Sequence, residues 1–194
     1  MDTAPTFTAF AGIKQIRSAD QRTMLLETKA YLDGGGNDPV LIFDDQTGQQ
    51  VDFDFRGTPD EVVRRAEGTK PQAGPGRPKL GVVSREVTLL PRHWEWLEQQ
   101  PSGISAALRR LVEEAMKRNP AEEQARRARE AASRFMWSMA GNFSGFEEAS
   151  RALFAADRER FAALTADWAT DIRDHLTRLA APSFESGRGT EAAG

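Results

Sequence analysis

PVLIFDDQTGQQVDFDF, residues 39–55, is the stretch that most constrains the fold. Its first part, 39–45, is a short apolar run of the length expected for a buried strand. Its last part, 51–55, alternates apolar and acidic residues with period two, as a strand with one buried face does. Because the loop at 46–48 is short and contains glycine, the two runs predict a β-hairpin.

Helix signals and a further strand surround this hairpin. Residues 6–10 alternate as a strand should. Two capping boxes, in which two side chains three residues apart satisfy first-turn amides, predict helix starts: Ser18 with Gln21, and Thr58 with Glu61. Glycines 34–36 predict the end of the first helix. Residues 1–67 therefore predict a small α+β domain, an antiparallel sheet with two helices.

The rest of the chain predicts four more segments. Residues 68–81 are rich in glycine and proline and predict a basic linker. Residues 82–119 predict a strand, a short helix and a longer helix. Residues 120–180 predict a helical segment, and 181–194 a polar, disordered tail. The fold class as a whole is predicted to be α+β.

Local signals predict where the later helices begin. Ser105 occupies the position of an N-cap before an amphipathic run. Ser144 and Glu147 have the spacing of a third capping box. Asp157 stands where the long C-terminal apolar pattern could divide into two helices.

Composition excludes several classes of protein. The 194 residues contain no cysteine, so disulfides and thiolate–metal sites are excluded. No apolar run approaches the roughly 18–20 residues of a membrane span, and the N-terminus lacks the pattern of a signal peptide. We therefore expect a cytoplasmic protein with no membrane contact. The net charge is −3, yet residues 76–118 hold eight basic and five acidic side chains.

Motifs for catalysis are not found in this sequence. The two histidines, His93 and His175, lack the i+4 partner of a helical zinc pair, and His175 is expected to be a structural histidine on an apolar stripe. No phosphate-binding glycine loop and no nucleophile elbow occur. We therefore expect a protein that is not an enzyme and has no cofactor.

Four aspartates around the predicted hairpin leave two interpretations open. Carboxylates on two adjoining strands could bind a divalent cation. The alternative is that they form the solvent side of a hairpin whose other face is buried, and we prefer this one. The residues concerned are Asp44, Asp45, Asp52 and Asp54.

The order strand, helix, turn, helix in SREVTLLPRHWEWLEQQPSGISAALRRLVEEA, residues 84–115, resembles the ribbon-helix-helix family of bacterial repressors. The resemblance implies that two chains pair their strands into a ribbon that enters the major groove of duplex DNA. It also implies a phosphate contact at the start of the second helix. The residues it assigns to DNA binding, together with the basic lead-in, are Arg77, Lys79, Ser84, Arg85, Thr88, Arg92, Ser105 and Arg109.

The strand register within 82–90 has two alternatives. One places Leu90, Thr88 and Glu86 inward. The other places Val83, Arg85, Val87 and Leu89 inward and buries more apolar surface, so we prefer it although it directs Glu86 toward the groove. A carboxylate near phosphates lowers affinity for DNA. The lead-in GRPK, 76–79, resembles the Gly-Arg-Pro core of minor-groove hooks.

Over roughly 6–180 the order of phrases such as PVLIFDDQTGQQVDFDFRGTP and RFMWSMAGNFSGFEEASRALFA is similar to an uncharacterised bacterial family, domain-of-unknown-function family 2239. That resemblance implies a soluble bacterial protein and supplies no catalytic or ligand-binding residues.

Three functional hypotheses follow. The first is a homodimeric DNA-binding transcription regulator that uses 82–119. The second is a non-enzymatic scaffold that binds proteins, in part through its helical C-terminal segment, with Trp94, Trp96 and Trp137 as anchors. The third and weakest is a metal enzyme built on the aspartates of 44–54.

Overall fold

The computed structural model describes residues 6–68 and 85–185 of the chain. The chain divides into two compact units. The core unit consists of Met1–Lys70 together with Ala121–Gly194, and the middle unit is Pro71–Pro120. The core unit thus joins the N-terminal sheet to C-terminal helices that lie far away in sequence.

All three strands of the described chain lie in the first 44 residues, with α1 between β2 and β3, and the remaining helices follow. The strands are β1 (Thr6–Ala11), β2 (Lys14–Asp20) and β3 (Val40–Asp44). The helices are α1 (Gln21–Asp33), α2 (Pro59–Glu67), α3 (Pro91–Glu98), α4 (Ile104–Arg118), α5 (Pro120–Ala140), α6 (Phe146–Phe154), α7 (Arg158–Thr165) and α8 (Thr170–Ala180), and a 3-10 turn follows at Ala181–Phe184. The predicted α+β class is confirmed.

The sheet is antiparallel with the order β2-β1-β3. The strands predicted at 6–10 and 39–45 are confirmed as β1 and β3, whereas β2 was not predicted. It is an edge strand of largely polar composition, KQIRSAD, and it lacks strict alternation of buried residues. The capping box at Ser18 is therefore wrong, because Ser18 lies inside β2. The N-cap of α1 is Asp20, whose carboxylate accepts a hydrogen bond from the Thr23 amide at 3.1 Å.

The predicted strand at 51–55 is also wrong. Beyond the bridge between Phe43 and Gln50, this segment forms no strand pairing with the described chain. The side chain of Arg65 donates to the carbonyls of Asp54 and Arg56 at 2.5 and 3.1 Å, so a side chain takes acceptors that a ladder would use. The period-two pattern nevertheless predicts the correct inward-facing side chains, since Phe53 and Phe55 pack against the core.

Two other helix boundaries agree with the sequence. The Thr58–Glu61 capping box is confirmed, with the Thr58 amide donating to Glu61 at 2.8 Å and the Glu61 amide to Thr58 Oγ1 at 3.4 Å. The end of α1 at the glycines is confirmed as well, since the Gly34 amide donates to the Ala30 carbonyl at 3.0 Å. Gly35 follows with φ +87°, a conformation that favours glycine.

The sheet of the core unit is covered on both faces. Ala9 and Ile42 belong to one apolar cluster with residues of α1 and α2. Their neighbours Phe10 and Phe43 belong to a second cluster with residues of α5, α6, α7 and α8. Because successive strand residues point to opposite faces, the C-terminal helices form the third layer of one fold.

The C-terminal helices differ from the prediction at their starts. The division at Asp157 is confirmed, since its carboxylate caps α7 by accepting from the Arg160 amide. The capping box at Ser144 is wrong: Gly145 with φ +76° precedes α6, and the Ser144 carbonyl accepts from the Trp168 indole at 2.9 Å. Ser183 in the 3-10 turn is fully buried, so the predicted tail from 181 is still packed there. Residues 186–194 lie outside the described chain.

In the described part of the middle unit, 85–118, residues 85–90 belong to no helix or strand and precede the two helices α3 and α4. Within 85–118 the buried side chains are Leu97 and Ala107. Residues 85–90 form no strand with the described chain, and 82–84 of the predicted strand lie outside it. The N-cap of α4 is Gly103 with φ +76°, so the prediction for Ser105 is wrong by two residues. No helix within 6–68 and 85–185 is both long and apolar enough to cross a membrane.

Candidate functional site

The predicted DNA-binding residues that the structure describes all lie on the surface of the middle unit. Arg85 and Thr88 belong to the segment 85–90 and are exposed there, Arg92 lies in the first turn of α3, and Ser105 and Arg109 lie in the first turns of α4. Arg77, Lys79 and Ser84 lie outside the described residues.

The start of α4 has features of an anion-binding surface. Ser102, Ser105 and Arg109 line one shallow depression there. Gly103 has no side chain to cap the helix, so first-turn amides such as that of Ser105 have no side-chain acceptor. The N-terminal end of a helix carries partial positive charge and free N–H donors. Of the predicted residues, the structure brings Ser105 and Arg109 together.

Three arginines in the described part of the middle unit have no carboxylate partner there. Arg85, Arg92 and Arg109 form no ion pair with any residue in 6–68 or 85–185, whereas Arg110 lies 3.8 Å from Glu114. Glu86 is exposed within 85–90. Both Val87 and Leu90 are at least half exposed, so a single chain favours neither predicted register.

An apolar stripe runs along α4. Leu111, Val112 and Met116 recur at helical spacing and are 38%, 56% and 62% exposed. We call these three side chains the α4 stripe. Together with the exposed Val87 and Leu90, it makes the middle unit rich in uncovered apolar surface.

The four aspartates of the predicted hairpin are dispersed. Asp44 accepts from the amides of Gln46 and Thr47 in its own turn. Asp54 pairs with Arg56 at 2.7 Å, and that hydrogen-bonded pair holds the pKa of Asp54 well below its usual range. Within the described residues, no group of three or more acidic or histidine side chains could hold a metal ion.

Asp45 departs from the solvent-side position that we preferred for it. Its side chain is only 14% exposed, and its two carboxylate oxygens accept from the hydroxyls of Thr6 and Thr8 at 2.8 Å each. Burial raises the pKa of the Asp45 carboxyl, although these two hydrogen bonds act in the opposite direction.

Asp45 lies in a cleft of about 950 Å³ within the core unit. The cleft is bounded by the strand ends at Thr6, Ser18 and Asp45, by the first half of α5, and by α8 with the turn after it. The titratable side chains that line the cleft are those of Asp45, Arg127, Glu130, Arg134, His175 and Arg178. We call this the α5–α8 cleft.

His175 is buried at the floor of the α5–α8 cleft. Its ring has 1% exposure and makes edge contacts with Phe10 and Phe135, with centroids 5.5 and 4.5 Å away. Arg178 Nη2 lies 2.9 Å from His175 Nδ1. Burial lowers the pKa of His175 to about 3, and the Arg178 charge acts in the same direction. His175 is packed among apolar rings, as expected for a structural histidine. The sequence did not predict that Arg178 and Asp45 would lie beside it.

The pairing of Asp45 with His175 was missed from the sequence. Nε2 of His175 lies 3.6 Å from Asp45 Oδ1, across 130 positions of chain. The available signals were an aspartate directly after a buried strand, and a histidine on an apolar helical stripe with arginine three residues later. Neither signal indicates that the two elements are neighbours.

Comparisons with known proteins give the chain a family. No curated protein matches the chain, and no solved structure matches it. One family model, described as "Uncharacterized protein conserved in bacteria (DUF2239)", matches residues 6–180. Since the match spans most of the 194 residues, the chain belongs to the DUF2239 family of bacterial proteins.

Proposed function

We propose that this protein is a non-enzymatic, homodimeric DNA-binding transcription regulator of the bacterial cytoplasm, with the middle unit as its ribbon-helix-helix-like DNA-binding part. The observation that carries the proposal is the incomplete burial of that unit: within 85–118, two side chains are buried beside an exposed α4 stripe. Helices with so small a core are not stable alone in water. A second copy of the unit would supply the missing cover.

Burying the α4 stripe against a second chain would contribute a substantial free energy to the stability of the middle unit. Fully burying a Val, Leu or Met side chain contributes about 1.5–3 kcal/mol. The three side chains of the α4 stripe are already partly covered, so a partner would contribute roughly 2–5 kcal/mol per chain on the same scale. That amount is comparable with the net stability of a small domain.

Residues 85–90, before α3, would give the dimer a means of contacting DNA. Residues 85–90 carry backbone donors and acceptors without strand partners in the described chain. Pairing with the same segment of a second chain would satisfy them and form a two-stranded ribbon. Such a ribbon fits the major groove, where Arg85 and Thr88 could contact bases.

Phosphate contacts would flank the ribbon. The open start of α4, with Ser105 and Arg109 beside it, can receive a phosphate oxygen at amide donors. Arg92 adds a cation without a carboxylate partner in the described chain. Glu86 is the unfavourable residue, and we expect it to lower affinity rather than prevent binding.

A titration with fluorescent duplex DNA at several salt concentrations tests the proposal. Affinity should fall as salt rises, with a slope of about 0.9 in log units for each neutralised phosphate. Arg109→Gln should reduce the slope by roughly two in a dimer, because each chain loses one contact. Arg151→Gln, an exposed arginine of α6 paired with Glu148 at 3.4 Å, serves as the control and should change nothing. No complex even at low salt, with a random pool of duplexes, would rule out DNA binding.

A scaffold function is the second candidate, favoured by exposed aromatic side chains. Trp96 is 46% and Trp137 62% exposed, and Trp137 lies on α5 against the Phe146 ring. Exposed tryptophans are frequent anchors of protein interfaces. A protein partner that is retained after charge reversal at Arg85 and lost in Trp137→Ser would favour this function over DNA binding.

A further inference from the structure

We propose that the α5–α8 cleft is a binding site for a small organic anion that also carries a hydroxyl group, such as a hydroxycarboxylate or a sugar phosphate. All residues that line the cleft belong to the core unit, so the site shares no residue with the surface proposed to bind DNA. Two observations carry the inference: a buried donor without a partner at the floor, and arginines with unused donors on the walls.

The buried donor is Nε2–H of His175. A guanidinium can only donate, so the contact at 2.9 Å from Arg178 requires Nδ1 to be the acceptor and places the ring proton on Nε2. Nε2 is buried and has no hydrogen-bond partner. Asp45 Oδ1 lies 3.6 Å away, beyond hydrogen-bond range. A buried N–H donor without an acceptor costs about 1–3 kcal/mol.

The arginines supply positive charge and free donors. Arg127 uses its Nε for Glu123, Arg134 uses Nη1 for the Thr47 carbonyl, and Arg178 uses Nη2 for His175 and Gln15. Each guanidinium carries five N–H donors, so several remain on each. Two of these cations also form ion pairs, Arg127 with Glu123 at 2.7 Å and Arg134 with Glu130 at 3.6 Å, and Asp45 is a further carboxyl of the cleft. An anionic ligand would therefore bind to the N–H donors that these ion pairs leave unused. Planar guanidinium groups suit carboxylate and phosphate oxygens.

Asp45 is the reason why the ligand must carry a hydroxyl group in addition to its anionic group. A bare anion placed on the floor would meet a carboxyl group and be repelled. A hydroxyl group, in contrast, can donate to Asp45 and accept from His175 Nε2–H at the same time. Reaching Nε2 requires the imidazole and the carboxyl to move slightly apart, because Nε2 is covered in this arrangement. The ligand therefore places its anionic group on the arginines and its hydroxyl on the floor.

Calorimetry with four probes tests the site in the full-length protein. L-Malate and glycerol 3-phosphate carry both an anionic group and a hydroxyl, while succinate and inorganic phosphate lack the alcohol. We expect one of the first two to bind, at least 10-fold more tightly than its counterpart. Which of them binds distinguishes a carboxylate from a phosphate site. Equal binding within both pairs, or no binding at 10 mM of any probe, would overturn the inference.

Exposed variants keep the test independent of folding. Arg178→Gln removes a charged donor at the surface and should weaken binding about 10- to 100-fold, the loss expected for a charge-assisted hydrogen bond. Arg151→Gln on α6 does not line the cleft and should leave binding unchanged. Binding that is equal in both variants and the parent would overturn the assignment to this cleft.

The His175 ring gives a direct readout of the floor. In protein labelled with ¹⁵N-histidine, the Nε2–H resonance of His175 should shift and exchange more slowly when the probe binds. His93→Gln identifies the signal, since the chain has two histidines. A probe that binds without affecting this resonance would show that the floor is not part of the site.

Discussion

The core unit and the middle unit of this protein use their apolar side chains in opposite ways. The core unit covers its sheet on both faces, with two clusters of buried residues. In 85–118, two side chains are buried, and six of the nine exposed large apolar side chains in the described chain lie there. The core unit is thus covered by its own contacts, and we propose that the middle unit depends on contacts with another molecule.

The largest effect should come from the centre of the core unit. Phe135 is fully buried and its ring contacts those of Phe10, Phe43 and His175. Phe135→Ala should lower the free energy of unfolding by about 3–5 kcal/mol through lost burial and a cavity. Urea denaturation followed by circular dichroism measures the change. Phe154→Ala is the control, because that side chain is 54% exposed. It should change the free energy of unfolding by no more than about 0.5 kcal/mol. Equal losses would contradict the described core.

The next largest effect should be on dimerisation, when the α4 stripe of the middle unit is changed and the core unit is not. Val112→Glu places a carboxylate on the proposed interface in both chains, and should weaken dimerisation at least about 100-fold, from the lost burial of two valines. Sedimentation equilibrium gives the dissociation constant. Phe154→Glu places the same charge at an exposed apolar position of the core unit and should leave association unchanged. A weakened dimer in Phe154→Glu but not in Val112→Glu would move the interface to the core unit.

Acid should destabilise the core unit through His175. The folded-state pKa of about 3 is below the value near 6.5 of an unfolded histidine. The unfolded state therefore binds the proton first, and stability is lost as pH falls from about 6.5 toward 3, by at most about 1.4 kcal/mol per unit. Asp45 acts with opposite sign, because its raised pKa favours the folded state in its protonated form. Urea denaturation over this pH range should show a smaller loss in His175→Phe, and an unchanged loss would contradict the buried neutral imidazole.

The smallest expected effect on stability compares Thr58, which caps a helix, with Ser144, which was predicted to cap one but does not. Thr58→Ala removes a side chain that accepts from the Glu61 amide, so it should cost about 1 kcal/mol. Ser144→Ala should cost much less, because Gly145 precedes α6 and no side-chain cap hydrogen bond forms there. Thermal denaturation of both variants measures the difference. Similar costs would contradict the described start of α6.

Local signals in the sequence predicted much of the fold. Alternation at 6–10 located β1, and the apolar run at 39–45 located β3. Glycines located the end of α1, the Thr58–Glu61 capping box the start of α2, and Asp157 the start of α7. Local chemistry could not predict β2, because an edge strand needs neither an apolar run nor strict alternation. It misjudged 51–55 because Arg65, a residue of the next helix, takes the carbonyls of Asp54 and Arg56.

The candidate sites differ in how much the sequence could reveal. Ser105 and Arg109 of the middle unit are four residues apart on one helix, so their proximity follows from helical geometry. The α5–α8 cleft joins Asp45 to His175 only because helices late in the chain cover the sheet. Contacts of such separation depend on tertiary packing, which short sequence patterns do not encode.

Light scattering on the full-length protein at micromolar concentration tests most directly whether the middle unit is completed by a second copy. The account predicts a mass twice the 21.5 kDa of the chain, reduced to that of a single chain in Val112→Glu. A parent protein that remains at 21.5 kDa would contradict it.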